Sequence, residues 1–253
     1  MESASRRDRA VIGAGLIAAT ALCWLWIIPM ARDMYGPMTG LSAWMMTPTW
    51  DPTQLMLLWA MWAVMMAGMM LPTAAPLLLI YGAAVRRTEA APRAAVRVYA
   101  MAGGYLLVWS VFSVAATLLQ RLLSRLFLLT PMMESARPSA TAVFLLIAGA
   151  YQFTPLKSVC LKTCRSPLSL IMQRWRPGAS GAFRMGVEHG VYCLGCCWAL
   201  MLLLFAGGVM NLIVIAALTA LVLVEKVTPF GLLAARVSGV VFIGWALWLL
   251  SSR

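Results

Sequence analysis

The sequence predicts an all-α, polytopic membrane helix bundle of about seven transmembrane helices, forming a single domain over residues 1–253. Three observations carry that prediction. Hydrophobic residues make up 62% of the 253 positions and charged residues only 11%, more apolar material than a soluble core of this size can bury. The apolar residues fall into seven runs, two of them short. The 20 Lys and Arg, which give a formal net charge of +12, lie in the short connections between those runs. Basic residues so placed read as topology signals and contacts with anionic lipid, not as a nucleic-acid face.

The first run, residues 10–31, follows "MESASRRDR" and is about 22 residues long, the length of a spanning helix rather than of a signal-peptide core. It is expected to stay as a first helix. Residues 54–85 form a very long run with Pro72 and Pro76 inside it. Pro72 lacks an N–H, so the Gly68 carbonyl loses its helix partner and a bend is expected there. Residues 98–119 form a clean third run, and "LLQRLLSRLFLL" extends it at helical spacing. Residues 139–153 end before Pro155, and the stretch 154–184 reads as short amphipathic pieces. Residues 186–206 follow. Gly207 and Gly208 then set a turn before a short run at 211–224, and residues 230–250 are the last. With the N-terminus inside, fifteen Lys and Arg fall on inner segments and five on outer ones. The positive-inside rule therefore places the N-terminus in the cytoplasm and Arg253 outside.

The run at 186–206 opens with "GVEHGVYCLGCCWALM", which holds the single histidine and three of the six cysteines. Each helical residue turns about 100°. Taking His189 as zero, Met185 falls near roughly −40°, Cys193 near +40°, Cys196 near −20° and Cys197 near +80°. One face thus presents Met, His and three Cys. Gly186 and Gly190 lie beside it and let another helix approach closely, so this face is expected to meet protein. Glu188, at the margin, is expected to form a surface ion pair with Arg184 four residues earlier. "CLKTC" places Cys160 and Cys164 one helical turn apart. A lone Cys such as Cys23 is a small packing residue; three on one face beside the single His point to metal or thiol chemistry.

A second unusual stretch is "MWAVMMAGMMLPTAAP". Met61, Met65 and Met69 form an i, i+4, i+8 stripe, with Met66 and Met70 alongside. Met fills irregular cores well, so packing alone accounts for such a stripe in many bundles. Met30, Met34 and Met38 recur every fourth residue before Met45 and Met46, and Met totals nineteen. Thioether and thiolate ligands together favour Cu(I), and thiolate with imidazole also suits zinc. The predicted metal ligands are therefore His189, Cys193, Cys196, Cys197, Cys160, Cys164, Met61, Met65 and Met69. Thioethers toward the outside and thiolates toward the reducing cytoplasm is the order of a Cu(I) relay. The chain carries no phosphate loop, dinucleotide turn or Ser–His–Asp constellation, and no catalytic residue is assigned. With one His, a histidine-rich redox copper centre is excluded.

The strings "GAFRMGVEHGVYCLGCCWALMLLLFAGGVMNL", "EKVTPFG", "MMAGMMLPTAAPLLLIY" and "YQFTPLKSVCLKTCRSPL" resemble a bacterial family of predicted metal-binding integral membrane proteins. The resemblance covers about residues 55–248. One member of that family is encoded beside a tyrosinase and is thought to supply its copper. The resemblance implies copper handling, with His189, Cys193, Cys196, Cys197, Cys160 and Cys164 as the metal motif. The leading expectation is a membrane protein that binds Cu(I) and delivers it to a copper-dependent client. The rival readings are a membrane thiol oxidoreductase and a structural subunit of a membrane complex.

Overall fold

The structure is a computed structural model, and it describes residues 2–36, 51–87, 89–130 and 133–252. Met38, Met45, Met46 and Arg253 lie outside the described residues. Ten helices and no β-strand occur among the described residues: α1 (Glu2–Met34), α2 (Pro52–Val85), α3 (Ala91–Arg125), α4 (Pro138–Tyr151), α5 (Pro155–Cys164), α6 (Pro167–Arg174), α7 (Gly178–Met201), α8 (Leu203–Gly207), α9 (Leu212–Val227) and α10 (Gly231–Ser251).

Local sequence explains where these helices start. Asp51 caps α2 by accepting from the Gln54 N–H at 2.7 Å, with Pro52 in the first turn. Thr154 caps α5 through the Lys157 N–H at 3.2 Å, with Pro155 following. Asn211 caps α9 through the Ile213 and Val214 N–H groups. Each cap satisfies a donor that the first helical turn leaves orphaned, and proline there forfeits nothing. Gly208, at φ 95°, makes the turn that separates α8 from α9, a backbone conformation that favours glycine. The stretch 154–184, expected as short amphipathic pieces, resolves into α5, α6 and the start of α7. The third run does continue as one helix through Arg125.

Five segments are long and apolar enough to cross a membrane: Ala10–Met34, Pro52–Val85, Arg93–Arg125, Gly178–Gly207 and Gly231–Ser251. The pair α4 and α5, bent by 67°, makes a sixth if it is one broken span. The remaining apolar run, α9, has 16 residues, or about 24 Å of helix. That is short of the roughly 30 Å that a full crossing needs.

α3 is the centre of the bundle and packs on α2 along one side and α7 along the other. α1 lies on α2, α5 on α7, and α4 on α10. The approach of α3 to α7 is set by glycine: a Cβ at Gly186 would collide with the Met101 carbonyl oxygen, and one at Gly104 with the Phe183 carbonyl oxygen. Gly190 lies against Val108 and the Tyr105 carbonyl. The expected close helix contact at Gly186 and Gly190 is thus made by α3, and it brings Tyr105 onto the face that carries His189. The carbonyl of Gly68, orphaned by Pro72, accepts from the Trp24 indole N–H at 3.3 Å. The carbonyl that Pro72 leaves free therefore serves as an anchor of α1 on α2.

Replacing Gly186 by Leu is expected to force α3 away from α7 and to lower the thermal unfolding temperature in detergent, at a cost of about 1–3 kcal/mol or more. Gly103→Ala, where an added Cβ meets nothing within 4 Å, is the control and should leave the unfolding temperature unchanged.

Candidate metal centre

α7 places its functional side chains as the helical spacing predicts. Met185, His189, Cys193, Cys196, Cys197 and Met201 are all buried, whereas Val191 on another face is exposed. α5 packs against α7 and brings the second cysteine pair. The Cys164 thiol lies within hydrogen-bonding reach of Cys196. Cys196 is within reach of Cys197, and Cys197 of Cys193. Four of the predicted sulfur ligands thus form a continuous chain, Cys164 to Cys196 to Cys197 to Cys193. Cys160 is also buried, with its Sγ against Gly195: a Cβ on that glycine would lie 2.8 Å from it. No disulfide occurs among the described residues.

The thiols are not set as a cage. Cys196 and Cys197 both donate to the Cys193 carbonyl, at 3.1 and 2.9 Å. They fold back onto their own helix, as small polar side chains do when nothing better is near. Among the described residues no three His, Cys, Asp or Glu side chains are arranged to hold a metal ion as they stand. Rotation about χ1 releases each sulfur from the carbonyl. His189 stacks on Tyr105, with ring centroids 5.7 Å apart, and its buried Nδ1 has no hydrogen-bond partner among the described residues. A buried nitrogen without a partner is a cost that a ligand can relieve.

The largest departure from expectation is Lys226. Counted from sequence as a basic residue of an inner connection, it lies at the end of α9 with its side chain inside the bundle, 8% exposed. Its Nζ donates to Cys193 Sγ at 2.7 Å and reaches Thr73 Oγ1 at 3.4 Å. Tyr105 Oη lies 3.0 Å from Cys193 Sγ and 3.1 Å from the Met70 carbonyl, to which Thr73 also donates at 2.8 Å. Helices α2, α3, α7 and α9 therefore converge on Cys193. No carboxylate pairs with Lys226 among the described residues. The adjacent Glu225 is engaged by Lys157 at 2.7 Å and by Gln152 at 3.1 Å, and Gln152 also donates to Ser238. Lys157, another residue counted as an inner connection, is 1% exposed, and Arg97 is 4% exposed.

Met61, Met65 and Met69 are fully buried in the core. α2 packs chiefly on α1 and α3. One turn beyond Met69 the same stripe reaches Thr73, which touches Lys226 and Tyr105, the two groups that hold Cys193. Met30 and Met34 are buried as well. Cys23 packs against Gly68 and is half-buried, as a packing residue should be. The expected Glu188–Arg184 pair is not made. Glu188 instead pairs with Arg176 at 2.7 Å and Arg174 at 3.4 Å, because the connection from α6 into α7 folds back over the first turns of α7 and brings both guanidiniums there.

Sequence reasoning missed Lys226, Tyr105, Thr73 and the Glu225–Lys157–Gln152 network. The one signal available was the pair "EK" at the end of an apolar run, which reads equally well as a helix end in water.

These features define a class: a bundle of long apolar helices that seals a thiol cluster, one imidazole and a lysine Nζ bonded to sulfur in its core. The PpoB2 family, described as copper chaperone, matches residues 59–249. The chain belongs to that family. Comparisons with curated proteins and with solved structures gave no match.

The Lys157–Glu225 pair is buried on both sides, so removing one partner strands the other charge. Glu225→Gln is expected to cost about 3–5 kcal/mol. Adding Lys157→Met to it should recover a large part of that loss, read as unfolding temperature in detergent. Equal unfolding temperatures for single and double variants would mean that the pair is not coupled.

Proposed function

We propose that the chain is a multi-pass protein of the bacterial inner membrane that binds Cu(I) and delivers it to a copper-dependent client. The observation that carries this reading is the cluster of four neighbouring thiols, Cys164, Cys196, Cys197 and Cys193, in an apolar core beside an imidazole nitrogen without a hydrogen-bond partner among the described residues. Membership of a copper chaperone family supports copper as the cargo. Thiolates are the soft donors that prefer Cu(I), and a low-coordinate Cu(I) site needs only two or three of them. Zn(II) prefers four ligands in a tetrahedron. On this reading Cys193, Cys196 and Cys197 are the primary ligands, His189 and Cys164 border the site, and Cys160 supports it from α5. A thiol oxidoreductase needs an attacking sulfur that a substrate can reach, and the burial of Cys193, Cys196 and Cys197 speaks against that role.

The topology belongs to the same reading. With the N-terminus in the cytoplasm, α2 enters from outside, and Met61, Met65 and Met69 descend toward Thr73 and the Cys193 layer. Counted over seven crossings, which require the bent α4–α5 pair and the short α9 each to cross, and setting aside the buried Arg97, Lys157 and Lys226, the basic residues divide twelve to five in favour of the cytoplasmic side. Thioethers hold Cu(I) weakly and stay unprotonated in an oxidising compartment, so they suit transit. Thiolates hold it more tightly and suit the reducing side. Reporter fusions are expected to place the N-terminus inside and Arg253 outside.

Purified protein loaded with Cu(I) under reducing conditions should retain about stoichiometric copper. Cys193, Cys196 and Cys197 changed together to Ser should lose it while remaining folded. Copper retained by the triple variant would remove these residues as ligands. Changing Met61, Met65 and Met69 together to Leu nearly conserves volume. That variant should still load copper at the thiols but lose copper movement across reconstituted vesicles. Normal flux would reduce the stripe to core packing.

A further inference from the structure

The short amphipathic helix α6 packs on the C-terminal end of α2. Between them lies an open cavity of about 870 Å³. Ile80, Ala83, Ala84 and Arg87 line it from α2 and the turn that follows; Leu168, Ile171, Met172 and Trp175 line it from α6 and its C-cap. Both sets recur at i, i+3, i+4 and i+7, so each is one face of a helix. The two alanines leave space between the backbones. Trp175 makes a held wall: its ring lies 5.6 Å from that of Tyr81 and 5.1 Å from the Arg97 guanidinium carbon. Arg97 in turn is tied to Glu89. Leu168 and Met172 are exposed, so the cavity opens outward on their side.

We propose that this cavity is a binding site for an anionic phospholipid, with an acyl chain along the α2–α6 groove and the phosphate at Arg87. The inference rests on the membrane location proposed above and not on copper. The lining is charged at one end only. From Ile80 to Arg87 the groove follows about 10 Å of helix axis, apolar until its last residue. Arg87 is exposed and forms no ion pair among the described residues. No carboxylate lines the cavity. The nearby Glu89 is engaged by Arg97, and Glu188 by Arg174 and Arg176. A guanidinium matches a phosphate with two parallel N–H donors, and a cation beside a bilayer draws anionic lipid. A chain with an anionic head at one end fits both halves of this lining. A zwitterionic head brings its own cation, which Arg87 repels. A free phosphate ion finds its charge partner but nothing to fill the apolar part.

Hydrocarbon surrounds any membrane bundle, so occupancy of a groove by a chain is not selective in itself. Selectivity comes from the headgroup. A second groove, of about 280 Å³ between α1, α2 and α3, makes the contrast: Val11, Leu16, Leu71, Leu78 and Leu106 line it, and no cation does. It offers a chain a place without choosing the head.

The test uses the full-length protein in detergent, offered an equal mixture of anionic phosphatidylglycerol and zwitterionic phosphatidylcholine, with retained lipid counted by native mass spectrometry. The wild-type protein is expected to retain phosphatidylglycerol in preference. Arg87→Gln removes the charge and should cut that preference about fivefold, the effect of one cation near a lipid headgroup, while phosphatidylcholine retention stays unchanged. Arg87→Lys should restore much of it. Ala83→Leu narrows the cavity and should lower retention of both lipids. Leu168→Gln, at an exposed position, makes the groove polar and carries the same comparison should the Leu variant fail to fold. Excess inorganic phosphate should not displace the lipid. A wild-type preference in Arg87→Gln would overturn the proposal, as would full retention in the narrowed or polar groove, or displacement by phosphate alone. Protein that shows these lipid effects but binds no Cu(I) would sink the copper reading and leave this inference standing.

Discussion

The contact between the Lys226 ammonium and the Cys193 sulfur organises the interior of this protein. Neither group belongs in an apolar core alone, and each is tolerable because the other is there. To bring them together, the short α9 must end inside the bundle, so that its last turn delivers Glu225 and Lys226 to different neighbours. Consecutive helical residues point about 100° apart. One therefore meets Lys157 and Gln152 on the α4–α5 side, and the other meets Cys193 and Thr73 on the α2–α7 side. A 16-residue helix suits that task. A longer one would carry both charges past the layer where their partners lie.

Close packing of α3 against α7 is the second constraint. Gly104 and Gly186 let the backbones meet, and that proximity is what puts the Tyr105 hydroxyl beside Cys193 and its ring against His189. The tyrosine joins what the two helices present. Through the Met70 carbonyl and Thr73 it also reaches α2, so oxygen atoms and the Lys226 ammonium link the methionine helix to Cys193. The apolar bundle and its polar centre are thus one design, in which small residues set the distances and the few polar groups satisfy each other.

Much of this was legible in the sequence because it rests on periodicity. The helical class, the long α2 with its orphaned Gly68 carbonyl, the buried face of α7 and the use of Gly186 and Gly190 as a contact all follow from spacing along one helix. What escaped depends on tertiary placement. Lys157 and Lys226 are ordinary residues at ordinary helix ends, and only the fold reveals that those ends lie inside the bundle. Arg97 likewise reads as a loop charge, although it sits against Tyr81 and Trp175. Glu188 was assigned the partner nearest in sequence, but a folded-back connection supplied two others. The Cys160–Cys164 pair was visible as a motif, yet its approach to α7 through Gly195 and Cys196 was not, because it depends on the bend between α4 and α5.

On the proposed function, the resting arrangement of the thiols suits release of the cargo. Cys196 and Cys197 have an alternative partner in the Cys193 carbonyl, and Cys193 has one in Lys226. Each of these three sulfurs thus has a hydrogen-bond partner without metal. A site with no such alternatives would strand unpaired sulfurs whenever the ion departed, and the cost of those groups would raise the barrier to release. Ready internal partners lower that barrier, at the expense of some affinity. That compromise is what delivery of a cargo requires, in contrast to permanent retention of a cofactor. On that reading the thiols need no preformed cage, and none occurs among the described residues: their present contacts are ones that a metal ion would have to displace.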